Sequence, residues 1–237
     1  MTNGWKTLSP DYEKARARED SLDRLMEWAA QRDLIGAVDG KDVLDVGCGN
    51  GEKAIELARA GARSVVGIDL GGNFLTPPPG LDVTLAEGDL SELATHPAVR
   101  RRFDTVVFLQ SLGYAKDQVE TLKVARELLR PDGVLVVARS HPIRYAVERA
   151  ERDGIPLGDA YHSTEPYSYP SRWNPEVTLT LPTGTFSSMH NAFVEAGFWV
   201  DRVLEPQLDD ELKARHPQRQ AWLAKHLGII VFRARPR

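Results

Sequence analysis

A chain of 237 residues can hold one elaborated domain or two small ones, and its 42% hydrophobic and 27% charged residues are those of a packed globular protein, not a disordered one. A net charge of -4 gives no global attraction to phosphate backbones, so no nucleic-acid partner is expected. The single cysteine, Cys48, excludes an internal disulfide, and neither a membrane-length apolar run nor a signal core is present, so a cytoplasmic protein with no membrane partner is expected.

In chain order, residues 9–35 have helical spacing. Ser9, Pro10 and Asp11 supply a start signal, and Leu22, Leu25, Met26 and Trp28–Ala30 supply an apolar face. With the residues before it, this stretch reads as an N-terminal helical lid over 1–40. From Val43 the pattern becomes short apolar runs at 43–47, 64–70, 83–89, 103–110 and 133–140. Helical segments fall at Glu52–Ala60, closed by Gly61, and at Asp117–Arg130, stopped by Pro131 and Gly133. Strand–helix alternation implies parallel strands with right-handed crossovers, an α/β doubly wound sheet that takes its ligand at the carboxyl ends of the strands.

Residues 142–185 interrupt this rhythm. Pro142, Pro156, Pro166, Pro170, Pro175 and Pro182 alternate with Tyr145, Tyr161, Tyr167, Tyr169 and Trp173, which predicts an inserted substrate cap. A helix near Ser187–Ala196, a strand near Phe198–Leu204, a polar helix near Asp209–Leu227 and a last strand at 228–234 complete a single domain over 1–237.

The chemistry concentrates between Val43 and Asp89. Gly47, Gly49 and Gly51 close the first strand and open the first helix, where absent side chains let backbone amides approach a ligand. A dinucleotide fingerprint requires its third glycine where Glu52 stands, and Asp45 precedes the first glycine by two residues. Acids here oppose a pyrophosphate and favour a cationic ligand. Opposite charges ~4 Å apart are worth about 4 kcal/mol at an effective dielectric of 20. Asp69, 20 residues after Gly49, is placed to accept from ribose hydroxyls. Asp89 can accept from an adenine amine, with Leu70 and Leu90 against the ring.

The segments VLDVGCGNG (43–51), GIDL (67–70), AEGDL (86–90), FDTVVFLQSL (103–112) and LLRPDGVLVV (128–137) resemble, in order and spacing, the motifs of class I S-adenosylmethionine-dependent methyltransferases. The resemblance implies a Rossmann-like, mostly parallel seven-stranded sheet with an antiparallel last strand, and S-adenosyl-L-methionine as cofactor. It places Asp45, Gly47, Cys48, Gly49, Asn50 and Gly51 around the methionine portion, Asp69 at the ribose, Asp89 and Leu90 at adenine, and Leu109 and Gln110 beside the amino group, with Leu70 and Gly88 also among the cofactor-binding residues. His141-Pro142 and Ser187–Phe198 also resemble a bacterial group acting on small molecules, which implies that substrate class; a homo-oligomer is compatible with it.

Duller alternatives stand beside several of these residues. Asp89 can be a helix N-cap, Cys48 a small packed residue, and the aromatics of the insert the cap's own core. His141, after a central strand, is the candidate general base, but it could instead donate to substrate or simply be held by Pro142. Tyr12, Ser111, Tyr114, Tyr161, His162 and Trp173 are the candidate acceptor-binding residues, and Arg16 could close over the cofactor's carboxylate or lie in a solvated face. His96, His162, His190, His216 and His226 have no metal-ligand spacing, so no metal is expected. A nucleic-acid methyltransferase, an NAD-dependent oxidoreductase and a non-catalytic S-adenosylmethionine-binding subunit are the competing readings. The first often carries Asn/Asp-Pro-Pro-aromatic where this chain has Gln110-Ser111-Leu112-Gly113.

Overall fold

A computed structural model describes residues 3–237, so the first two residues of the expected lid lie outside the described residues. The chain runs α1 (Asn3–Arg16), a π turn (Asp23–Glu27), α2 (Trp28–Ile35), β1 (Asp42–Val46), α3 (Glu52–Arg59), β2 (Ser64–Asp69), β3 (Val83–Glu87) and β4 (Phe103–Leu109). It continues through α4 (Gln118–Leu128), β5 (Leu129–Ser140), α5 (Pro142–Asp153), α6 (Leu157–His162), β6 (Tyr167–Pro170) and β7 (Thr178–Leu181). Last come α7 (Phe186–Glu195), β8 (Phe198–Leu204), α8 (Asp210–Arg215), α9 (Pro217–His226) and β9 (Ile229–Pro236).

Seven strands form one sheet in the order β3-β2-β1-β4-β5-β9-β8. β1 to β5 pair in parallel, and β9 runs antiparallel between β5 and β8. Continuous apolar runs form these strands because both faces are covered. On β4 and β5, Val106, Phe108, Leu135 and Val137 pack with α4 and α7, while Val107, Val136 and Ala138 pack with α2 and α3. The strand order reverses between β1 and β4, which opens a crevice at their carboxyl ends.

The predicted helix over 9–35 is two pieces. Ser21 Oγ donates to the Arg16 carbonyl at 2.7 Å and accepts from Arg24 N at 3.3 Å, which ends α1 and starts the next turn. The polar helix predicted over 209–227 breaks at His216, which the following Pro217 holds at φ -127° and ψ 60°. The helix expected to reach Arg130 stops at Leu128, and β5 begins at once.

The 142–185 segment contains more regular structure than its prolines suggest. His141 caps α5, Pro142 occupies the first turn, and Gly154 ends the helix in the left-handed region at φ 65°. β6 and β7 form a separate antiparallel hairpin, with Tyr167 paired to Leu181, and Tyr145, Tyr167 and Leu181 pack beneath it. The hairpin tip meets α1: Asn174 Nδ2 donates to Asp11 Oδ2 at 3.2 Å, and the Tyr12 and Trp173 rings lie edge to face, 4.8 Å apart.

Candidate functional site

The first turn after β1 uses three left-handed glycines, Gly47, Gly49 and Gly51, at φ 75°, 59° and 84°. At Gly47 a Cβ would lie 2.2 Å from Ser111 Cβ, so the turn presses directly on the end of β4. Ser111 Oγ donates to the Val46 carbonyl and ties the two strand ends together. Between them Gln110 has φ 69°, a rare conformation for a residue with a side chain.

These strand ends floor a cavity of about 1270 Å³, roofed by α1 and the β6–β7 hairpin. Ten of the expected cofactor residues line it: Asp45, Gly47, Cys48, Gly49, Asp69, Leu70, Asp89, Leu90, Leu109 and Gln110. Asn50, Gly51 and Gly88 stand behind the wall instead. Asn50 Oδ1 accepts from Glu52 N and Arg16 Nη2, Gly51 makes room for Leu85, and Gly88 makes room for the His96 ring. Cys48 is packed against Gly67, and burial pushes its thiol well above the usual range, which suits packing and not nucleophilic chemistry.

Electrostatically the floor is poised for a cation. Asp45 is 1% exposed, and neither carboxylate oxygen has a hydrogen-bond partner among the described residues. Burial, reinforced by Asp69 and opposed by Arg16 and Lys53, pushes its pKa up to about 7. Asp69 accepts from Gly49 N at 2.8 Å through Oδ2 and from Gly71 N at 2.7 Å through Oδ1. Asp89 caps the turn at 90–95 by accepting from Ser91 N and Ser91 Oγ, all through Oδ1; the bland reading of this residue holds, and its other oxygen remains for a ligand. Above the glycines, Arg16 pairs with Glu13 at 2.9 Å and Glu52 at 2.8 Å.

An orphaned buried carboxylate beside glycine amides suits the α-ammonium and ribose of S-adenosylmethionine and opposes a pyrophosphate. On that fit, Asp45 and Gly47–Gly49 would hold the methionine portion, Asp69 the ribose, and Asp89 with Leu90 the adenine. One consequence is measurable. Free Asp45 is about half protonated near pH 7, and a cationic ligand favours the ionised form, so affinity for S-adenosylhomocysteine should rise with pH through 7. Below that pH it should weaken by up to about tenfold per unit, the effect of one coupled proton. Calorimetry from pH 5.5 to 8.5 checks this, and Asp45→Asn should flatten the profile.

Four expected acceptor residues line the cavity: Tyr12, Ser111, Tyr114 and Trp173. Trp5, which sequence reasoning missed, joins them with its ring 5.5 Å from Tyr12 and 5.2 Å from Tyr114. Tyr161 and His162 lie off the wall. The Tyr161 hydroxyl accepts from Phe186 N at 2.9 Å, which ties α6 to α7, and His162 is exposed with its ring at the edge of Tyr161.

His141 also stands off the wall. It is 5% exposed and does not line the cavity, although Ser140 and Pro142 on either side do. Its Nδ1 accepts from Ile143 N at 3.1 Å, and Nε2 bonds Glu205 Oε1 at 2.8 Å. With both ring nitrogens engaged in capping and anchoring α5, it is not placed to take a proton from an acceptor. Burial raises two cavity carboxyls to about 7, Asp45 on the floor and Glu27 on the π turn. No spacing in the sequence singles out Glu27, because its burial comes from packing of the π turn against other segments. Among the described residues no group of metal-ligating side chains occurs, and no helix is long and apolar enough to cross a membrane.

The family model described as a methyltransferase domain matches residues 14–173. A tRNA U34 carboxymethyltransferase from Methylococcus capsulatus is 35% identical over 118 residues, 47% of this chain and 36% of that protein. A ubiquinone biosynthesis O-methyltransferase from Nitrosospira multiformis is 35% identical over 100 residues, 40% of this chain and 41% of that protein. The chain therefore spans less than half the length of these two relatives. The crystal structure of an S-adenosylmethionine-dependent methyltransferase from Mesorhizobium loti superposes with a TM-score of 0.68 at 22% identity, over 88% of this chain and 97% of that one, a likeness of fold.

Proposed function

The chain belongs to the methyltransferase-domain family, whose cofactor is S-adenosylmethionine, and from that premise we propose that it methylates an O, N or C nucleophile of a small molecule enclosed beneath α1 and the β6–β7 hairpin. The observation that carries this reading is the single cavity running from the glycine turn to the aromatic wall of Trp5, Tyr12, Tyr114 and Trp173. At about 1270 Å³ it exceeds the ~300–1,000 Å³ usual for one ligand, which supports a cofactor and an acceptor side by side.

When bound, the cofactor supplies a methyl group on a sulfonium, open to in-line displacement. The chain's own contribution is alignment and exclusion of water. The rigid turn at Gly47–Ser111 fixes one partner, and the aromatic roof presents flat contact area to the other. Glu27 is placed to hold a proton released by a hydroxyl acceptor; an amine that arrives neutral needs no such group. Residues 3–40 and 142–185 act together as the cover, joined through Asp11–Asn174 and Tyr12–Trp173.

A tRNA acceptor is the reading favoured by the Methylococcus likeness, which extends over 36% of that protein. The net charge of -4 and the roofed cavity favour the small molecule. Incubation with methyl-tritiated S-adenosylmethionine, a fractionated small-molecule extract and total tRNA separates the two. Label is expected in a low-molecular-weight fraction, and label confined to tRNA would contradict the proposal.

A further inference from the structure

Six guanidiniums line the cavity, and five of them already hold a carboxylate of this chain. Arg16 pairs with Glu13 and Glu52, Arg18 and Arg219 with Asp20, and Arg144 and Arg172 with Glu148. Arg139 does not. Among the described residues the one hydrogen bond of its guanidinium goes from Nη1 to the amide oxygen of Gln118, at 2.7 Å, and no carboxylate lies within ion-pair distance. Burial lowers its pKa to about 10, as expected of a cation short of compensating charge. Leaving such a group unpaired in a protein interior is unfavourable, and a ligand that brings the missing charge removes the penalty.

The surroundings describe that ligand. Arg139 is near the end of β5, with Nη2 at 4.0 Å from the position a Cβ on Gly113 would take, directly beside Tyr114. The Tyr114 ring leads through Trp5 to Tyr12 and so to the roof. Its neighbour in the strand, Ser140, accepts at Oγ from the Tyr145 hydroxyl at 3.1 Å and from Arg144 Nη1 at 3.3 Å, leaving its own hydrogen free to donate. A planar guanidinium fork matches a carboxylate in two parallel hydrogen bonds, and the aromatic surface next to it suits a flat apolar body.

We infer that the acceptor is an aryl carboxylate whose acid group is held by Arg139 and whose ring lies against Tyr114 and the aromatic wall. The inference rests on reading this cavity as the acceptor site. Arg139 is separated from the cofactor end, because Arg16 already stands over the glycine turn, bonded to Asn50, and β5 lies beyond β4 in the sheet.

The test is calorimetry on the full-length protein saturated with S-adenosylhomocysteine, using hydroxybenzoates and hydroxycinnamates, each with its methyl ester, and inorganic phosphate. At least one acid should bind, with its ester at least tenfold weaker. Arg139→Gln should weaken that acid by about 10- to 100-fold, the loss of a charged hydrogen-bonding partner, with S-adenosylhomocysteine affinity unchanged. Arg139→Lys should fall between the two, since it keeps the charge and loses the fork. The inference is overturned if no acid binds, if ester and acid bind alike, if phosphate competes at equal concentration, or if Arg139→Gln keeps wild-type affinity for the acid. An equal loss of S-adenosylhomocysteine affinity in Arg139→Gln would also overturn it by assigning the residue to the cofactor. Failure of the wild-type protein to bind S-adenosylhomocysteine at all would instead sink the methyltransferase reading beneath it.

Discussion

Asp69→Ala should weaken S-adenosylhomocysteine binding by about 2 to 4 kcal/mol, roughly 30- to 1,000-fold, while the protein stays folded. Asp69 closes β2 at the crevice, and burial raises its carboxyl above the ordinary range even though Gly71 N and Gly49 N donate to it. A ribose that offers two hydroxyls to this carboxylate would make charge-assisted bonds of about 1.5 to 3 kcal/mol each. The alanine variant also frees Gly49 N, loosening the glycine turn. Asp69→Asn keeps an acceptor without the charge and should fall between wild type and alanine. Calorimetry on variants with native circular dichroism decides the matter, and unchanged affinity in folded Asp69→Ala would remove the residue from the site.

The largest effect on stability is expected at the opposite end of the sheet. Asp42 opens β1, is 3% exposed, and accepts from Arg63 Nε at 3.0 Å, Ser64 Oγ at 2.7 Å and Arg130 Nη2 at 2.8 Å. Hydrogen bonding from Arg63 is the main reason its carboxyl is held well below the usual range. Removing one partner of a buried pair costs about 3 to 5 kcal/mol, but both arginines are more than a third exposed and would be resolvated, so about 3 kcal/mol is expected for Asp42→Ala. At this chain length that is a fall in Tm of roughly 6 to 12 °C. Because the folded pKa is depressed, this stability is fully present above the unfolded value near 4 and is lost as pH falls below it. The difference in Tm between wild type and Asp42→Ala should therefore shrink from pH 6 to pH 3. A constant difference would show that the effect is packing and not charge.

The strands and the cofactor turn could be read from the sequence because their causes are local. Runs such as Leu135–Ala138 are buried on both faces, and Gly47, Gly49 and Gly51 each adopt a backbone conformation that disfavours other residues. The acids at Asp45, Asp69 and Asp89 lie at or just past the carboxyl ends of successive strands, so parallel topology alone brings them to one crevice. What escaped depends on distant partners. His141 invited a role in proton transfer by its place after β5, but Glu205, 64 residues away, and the cap of α5 occupy its ring. Tyr161 and His162 shared the aromatic character of the insert, yet α6 turns Tyr161 toward Phe186 and leaves His162 exposed. Arg139 drew no notice because what sets it apart is a missing partner, which only the packed structure reveals. Glu27 is far in sequence from the glycine motif, and only the packed structure brings it to the cavity that Lys53 and Arg144 also line.

The central claim is that the cavity behind the glycine turn takes S-adenosylmethionine, and parallel calorimetric titrations of the purified protein with S-adenosylhomocysteine and NAD test it most directly. The orphaned Asp45 carboxylate beside Gly47 and Gly49 predicts saturable one-to-one binding of S-adenosylhomocysteine and none of NAD at the same concentration. Binding of NAD with no response to S-adenosylhomocysteine would contradict the account.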